Sequence, residues 1–348
     1  MSDQKYAYWI KSGFYSGLQK MAVLLFGVGT VLLLTRSLSK SDMGVWNLFL
    51  VYTAFIEVIR HSLIKNAVIK YLNSEGEENH EHINAAALTL NSIITVLILL
   101  LIIIFIFPVS HLLQAAMLST VMYYFIPGLL LLIPFSHFEW IQNANADFKG
   151  VFWAYLTRQG ISFFLIVIHL LSGHPITLVA LIIYFDIGLL TGAGVSSIFA
   201  WKFLKRTFQL DLAWIKRLWN FGKYVFGTNI SASVFRNTDQ FIISSQISTA
   251  AVALYGVSLR IANLIDVPSQ VIGDILFAKS AKMMEAGNME KIKFYYEKAV
   301  GSILAIAVPL SILIIILPKL ALMIIAGKSY TEAAHILQIM LLYGLLLP

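Results

Sequence analysis

Long apolar runs alternate with short polar stretches along the whole chain, as in Ile93–Phe107, Gly128–Pro134, Ile161–Leu171 and Ile303–Leu317. About 20 mostly apolar residues suffice for a helix to cross the hydrocarbon core of a bilayer. Ten such segments are read, near 13–34, 44–68, 84–108, 118–141, 151–171, 176–201, 221–244, 251–277, 297–317 and 331–348. No stretch between them is long enough for a soluble domain. The second and eighth segments are the least apolar, as expected of helices that line an interior. The pattern predicts an all-α integral membrane protein with about ten transmembrane helices. Within it, Pro134, Pro268 and Pro309 are candidate bends. Gly13-x-x-x-Gly17 and Gly188-x-x-x-Gly192 fit close helix packing.

Composition agrees: 59% of residues are apolar and 12% charged, against about 25% charged in soluble domains. There is no cysteine, which excludes disulfides, thiolate chemistry and cysteine metal sites. The start, Met1-Ser-Asp-Gln-Lys5, lacks the cleavage pattern of a signal peptide, so the first segment is expected to be retained. With the N-terminus cytoplasmic, 17 of the 25 Lys and Arg residues fall on the inner side. Lys65, Lys149 and Arg158 are counted among them. Four lie outside (Arg36, Lys40, Lys319, Lys328) and four inside the segments. Short loops rich in Lys and Arg stay cytoplasmic, so this split sets the direction. The net charge of +7 then reflects topology and contact with anionic membrane lipids, not nucleic-acid binding.

A shift of 209 residues aligns the two halves. Thr35–Trp46 falls on Ser244–Tyr255, Gly13 on Gly222, and Glu57 on Asp266. Six helices per unit make this a parallel repeat about an axis along the membrane normal. The expected organisation is two six-helix lobes, 1–204 and 205–348, with the second incomplete because the partners of residues 140–209 are absent. The chain thus reads as a fragment of a protein with at least twelve helices. The connector from Lys205 to Lys223, with Trp214, Trp219 and Phe221 among five basic residues, reads as an interfacial helix on the cytoplasmic face.

Seven charged residues sit inside the segments: Lys20, Glu57, Arg60, Arg236, Asp239, Arg260 and Asp266. Each would cost about 2.5–3.5 kcal/mol at the bilayer centre, so a lipid-facing surface would not collect all seven. Glu57 and Arg60 are three apart, as are Arg236 and Asp239, which places each pair on one helix face. Arg260 and Asp266 face different directions and need partners elsewhere. Structural ion pairs are one reading. The other is a charged central cleft for an anionic headgroup, with Arg60, Arg236 and Arg260 as leading phosphate or acidic-sugar contacts and Lys20 in support. The planar guanidinium fork matches phosphate oxygens two at a time. Glu57, Asp239 and Asp266 then orient those cations, or titrate if a proton or sodium ion is coupled; both roles stay open. Asp186 is an eighth candidate without a local partner. No histidine shows metal-ligand spacing and no nucleophile–base pair stands out. An enzyme, a cofactor and a metal are therefore not expected.

The run Asn237-Thr-Asp239-Gln-Phe-Ile-Ile-Ser-Ser-Gln-Ile-Ser-Thr-Ala-Ala-Val-Ala-Leu-Tyr255 resembles the start of the second lobe in bacterial polysaccharide flippases. Leu34-Thr-Arg-Ser-Leu-Ser-Lys-Ser-Asp-Met-Gly-Val-Trp46 is similar to the matching place in the first lobe. The resemblance implies a flippase of the multidrug/oligosaccharidyl-lipid/polysaccharide exporter superfamily, with two six-helix lobes around a charged cavity. It implies movement of undecaprenyl-diphosphate-linked O-antigen or capsule units across the bacterial inner membrane, by a monomer that works beside other polysaccharide assembly proteins. It also places Arg236 and Asp239 among the cavity charges of the seventh helix. A drug–cation antiporter of the same superfamily is the nearest alternative, but it calls for a net-acidic, aromatic cavity. A membrane polymerase or ligase calls for a large outer loop, and the outer loops here are short.

Overall fold

A computed structural model describes the backbone of residues 2–204, 211–285 and 289–344. It describes side chains for 13–204, 211–265, 272, 276 and 289–342. Among these residues the regular structure is entirely helical. In chain order the helices are α1 (Ser2–Ser37), α2 (Lys40–Arg60), α3 (Asn66–Ser74), α4 (His80–Leu112), α5 (Ala116–Tyr124), α6 (Ile126–Ala144), α7 (Phe148–Leu171), α8 (Leu178–Ala200), α9 (Leu212–Gln246), α10 (Thr249–Glu285), α11 (Met289–Ile316), α12 (Pro318–Ala326) and α13 (Ala334–Gly344). A π-helical turn, His61–Lys65, joins α2 to α3. Each of the ten expected segments falls on one of these helices or on a helix pair, except that residues 345–348 of the last lie outside the described residues. Among the described residues six spans are long and apolar enough to cross a membrane, and the α5–α6 pair makes a seventh if it is one bent span. The segments at 221–244 and 251–277 lie in α9 and α10, which carry the charges the sequence pattern singles out.

The helix ends follow from local chemistry. Ser39 caps α2 by accepting from the Asp42 amide at 3.0 Å, while its hydroxyl donates to the Asp42 carboxylate at 2.7 Å. Asp147 caps α7 and Asp211 caps α9 in the same way. α5 and α6 meet at a 49° bend near Phe125, so the break in this span falls before Pro134 and not at it. The Asp186 carboxylate, which has no partner within its own helix α8, lies against Gly128 in the first turn of α6. There it faces the positive end of that helix.

Packing reverses the soluble pattern. α4 turns Ile93, Leu97, Leu100, Ile104 and Phe105 outward and buries Asn84, Asn91 and Thr95. In lipid, apolar faces gain nothing by turning inward, and polar side chains must find partners inside. The close pairs use small residues: a Cβ at Gly188 would overlap Ser162 and the Arg158 carbonyl, and one at Gly192 would press on Arg158. The Gly13–Gly17 expectation is not met, since both glycines face open space.

Contacts divide the chain into two compact units, one running through Thr249 and one from Ala250. The expected lobes, 1–204 and 205–348, follow the repeat, which is a different criterion. In the first unit α9 lies along α2, the π turn and α4. At 35 residues it is about 52 Å long, far more than the roughly 30 Å hydrocarbon core. From residue 212 on, the expected interfacial connector is therefore the overhanging start of this helix; residues 205–210 lie outside the described residues. Lys70 stacks on Phe221 at 4.6 Å and Arg217 on Trp214 at 4.7 Å at that end. At the other end the Ser41 and Thr249 hydroxyls are 2.9 Å apart and Ser244 donates to the Leu113 carbonyl at 2.5 Å. Because the chain has no cysteine, Ser41→Cys with Thr249→Cys tests this docking cleanly. Mild oxidation is expected to cross-link the pair, read by a gel shift after cleavage of the connecting chain; absence of the cross-link would show the two ends apart.

Candidate functional site

The first unit carries a row of charges on one stripe of α2 and its π turn: Glu57, His61 and Lys65, spaced by four. Each finds its partner on another helix, because none can ionise in hydrocarbon alone. Glu57 accepts from Arg158 Nη2 of α7 at 2.9 Å. Lys65 Nζ donates to Glu139 Oε1 of α6 at 2.7 Å, and His61 Nε2 lies 3.7 Å from Oε2 of the same carboxylate. Glu139 also accepts from Tyr155 at 3.3 Å and from Asn143 at 3.1 Å. Its side chain is only 3% exposed, while Lys65 and His61 are 26% and 27% exposed. In both pairs the α2 group is the more exposed member: Lys65 and His61 cover the deep Glu139 carboxylate, and Glu57, 30% exposed, covers the deeper Arg158.

Sequence reasoning misses half of this row. Glu139, Lys65 and Arg158 all lie inside the expected segments, but Lys65 and Arg158 are sorted there to the cytoplasmic loops. The structure corrects both: Arg158 sits midway along α7, and Lys65 closes the π turn inside the 35-residue span Lys40–Ser74. The available signal was their position within the apolar windows. Moving these two leaves the basic excess of the inner loops intact.

Arg60 requires a second correction. Its nearest acid in sequence, Glu57, pairs with Arg158 instead. Arg60 is fully buried, with Nε and Nη2 donating to Asn91 Oδ1 at 3.0 and 2.8 Å and Nη2 to the Leu132 carbonyl at 2.7 Å. Asn91 in turn donates to the Ile133 carbonyl at 3.1 Å. Arg60 therefore ties α2, α4 and α6 together, and no ligand reaches its guanidinium in this conformation.

The other expected residues are placed as follows. Lys20 is exposed on α1. Arg236 is exposed on α9, and Asp239, one turn on, accepts from the Gln240 amide at 2.8 Å. Beside them, Ile230, Ser231, Val234, Phe235 and Thr238 line a groove of about 630 Å³. Arg260 belongs to the second unit, where the buried Tyr330 is its electrostatic neighbour. Asp266 lies on α10, with its side chain outside the described residues. No cluster of metal-ligating side chains occurs among the described residues.

Spanning helices with ion pairs folded into their interior define a multi-pass membrane protein. The sequence matches the family described as "Polysaccharide biosynthesis protein" over residues 33–335, and the chain belongs to that family. No curated protein matches it by sequence. Its fold is similar to that of a multidrug resistance MATE family transporter of the MOP superfamily in an inward-facing conformation. The TM-score is 0.75 at 14% identity, covering 96% of this chain and 82% of that one. It is also similar to the lipid II flippase MurJ in an inward closed conformation, with a TM-score of 0.73 at 16% identity over 95% and 73% of the two chains. A third similar structure is a MOP superfamily transporter from Pyrococcus furiosus, whose binding pocket is described as reversed in polarity. Here the TM-score is 0.64 at 15% identity, over 94% and 76%. These solved structures are of transporters and a flippase, and the likeness to them is one of fold.

Proposed function

We propose that this chain translocates undecaprenyl-diphosphate-linked oligosaccharide units from the cytoplasmic to the periplasmic leaflet of a bacterial inner membrane, for O-antigen or capsule synthesis. The observation that carries this reading is the row of half-accessible ion pairs on α2, in a chain of the polysaccharide biosynthesis family. A diphosphate with attached sugars cannot cross hydrocarbon unaided, whereas its polyprenyl tail stays in the bilayer. A charged cleft between two lobes, split by the repeat near residue 204, holds the headgroup while the lobes rock. The N-terminus is cytoplasmic in this reading. An inside-negative potential favours outward movement of an anion by about 2.3 kcal/mol per charge per 100 mV. Proton or sodium coupling is therefore an addition and not a requirement. Arg236 and Arg260 contact the phosphates, with Lys20 in support.

The test is surface glycan on a gel from a flippase-deficient bacterium that carries the cognate glycan cluster and expresses this gene. Restored long-chain glycan is expected. Arg236→Ala and Arg260→Ala are each expected to abolish it with membrane protein levels unchanged. Normal export by both variants would remove these two residues from the substrate path. No restoration despite good expression, together with efflux of a cationic dye, would favour the antiporter of the same superfamily.

A further inference from the structure

The cations of the first unit differ in how completely the protein itself satisfies them. Arg60 also keeps one unpaired nitrogen, Nη1, but its whole side chain is sealed among α2, α4 and α6, out of a ligand's reach. Lys65 is held by a carboxylate deeper than itself. Arg158 differs in that its unpaired nitrogen stands behind a partly exposed partner. Its side chain is 8% exposed and is bound by one hydrogen bond to Glu57, whose side chain is 30% exposed. Its Nε has no hydrogen-bond partner among the described residues. The guanidinium stands between Phe135, 4.9 Å away, and Phe185, 5.4 Å away. Two aromatic faces hold a cation in orientation without using its N–H groups. A planar fork kept in place, underfilled with acceptors and closed on its accessible side by one monodentate carboxylate, suits a ligand that offers two oxygens at once.

We propose that Arg158 is a diphosphate-binding residue, and that the headgroup displaces Glu57 from its fork. This rests on the flippase reading and adds a contact to it. Glu57 occupies the fork when the site is empty, so the buried charge is never left bare. When a phosphate arrives, Glu57 swings toward the accessible side, where it is already partly solvated. The pair is thus a competitor for the ligand as well as a strut.

Purified protein in detergent, probed with undecaprenyl diphosphate, separates the two roles. Glu57→Gln is expected to bind the probe three- to tenfold more tightly, because the competing carboxylate is gone. Arg158→Gln is expected to bind at least tenfold more weakly, and Arg158→Lys to recover only part of the loss. The exchanged pair, Glu57→Arg with Arg158→Glu, is expected to recover thermal stability but not binding or glycan export. Recovery of binding by the exchanged pair would overturn the proposal, and so would weaker binding by Glu57→Gln. If the exchanged pair does not fold, the three single variants still decide. Wild-type protein that exports glycan while Arg158→Gln binds and exports equally well defeats this inference alone. Wild-type protein that neither exports nor binds the probe defeats the flippase reading and this inference with it.

Discussion

Arg60→Ala is expected to lose about 3–5 kcal/mol of folding stability, the combined scale of a large-to-small cavity and two buried acceptors left unsatisfied. The variant strips Asn91 of its donor, leaves the Leu132 carbonyl without the guanidinium, and opens a cavity where three helices meet. Hydrogen bonds to a charged group contribute about 1.5–3 kcal/mol each, and the partners left behind have no water to turn to. Arg60→Met refills the volume and is expected to recover part of the loss, but not the unpaired amide and carbonyl. Asn91→Ala is expected to reproduce about 1–3 kcal/mol of it. Unfolding in detergent, followed by circular dichroism against temperature or denaturant, measures all three. A stable but inactive Arg60→Ala would return the residue to the substrate path that its sequence position suggests.

Gly222→Val is expected to detach α9 from the first unit. A Cβ at this position would overlap the Leu63 main-chain carbonyl in the π turn. The obstacle is backbone, so no rotamer change relieves it. Overpacking typically costs about 1–3 kcal/mol, occasionally more, and here the upper end is expected. Separation would also break the Asn229-to-Ser62 hydrogen bond of 2.9 Å and unstack Tyr71 from Phe221 and Trp214. Gly227, one and a half turns on, faces open space. Gly227→Ala is therefore the control, expected to be neutral or to add up to about 1 kcal/mol through helix propensity. Protease cleavage near the start of α9, fast in Gly222→Val and slow in Gly227→Ala, reads the difference.

Gly222 also shows the limit of the repeat. It aligns with Gly13 in sequence, yet Gly13 meets nothing within 4 Å and Gly222 touches main chain. The alignment locates corresponding helices but not their neighbours. The same limit governs the charges. Glu57 and Arg60 share a helix face, and spacing alone pairs them; the fold turns Glu57 to a partner 101 residues away and Arg60 to one 31 residues away. Local spacing decides which face a residue occupies. Only the rotation of each helix against the next decides what that face meets.

What this sequence determined by itself is the class and the inventory. Lipid offers no hydrogen bonds, so apolar runs of spanning length must be helices, and the charges inside them need partners or water. Segment positions and the all-helical fold follow from that solvent alone; the family resemblance rests on the residue runs 34–46 and 237–255. The tertiary structure decided how the charges are shared. It made Arg60 a strut, brought Arg158 and Lys65 into the charged row, and gathered Lys65, His61, Tyr155 and Asn143 on the one carboxylate of Glu139. The physical reason is that hydropathy records how much a segment prefers lipid, summed over its length, and carries no record of the angle at which it packs. Ion pairs are set by that angle, to within the few ångströms over which a buried charge finds its partner.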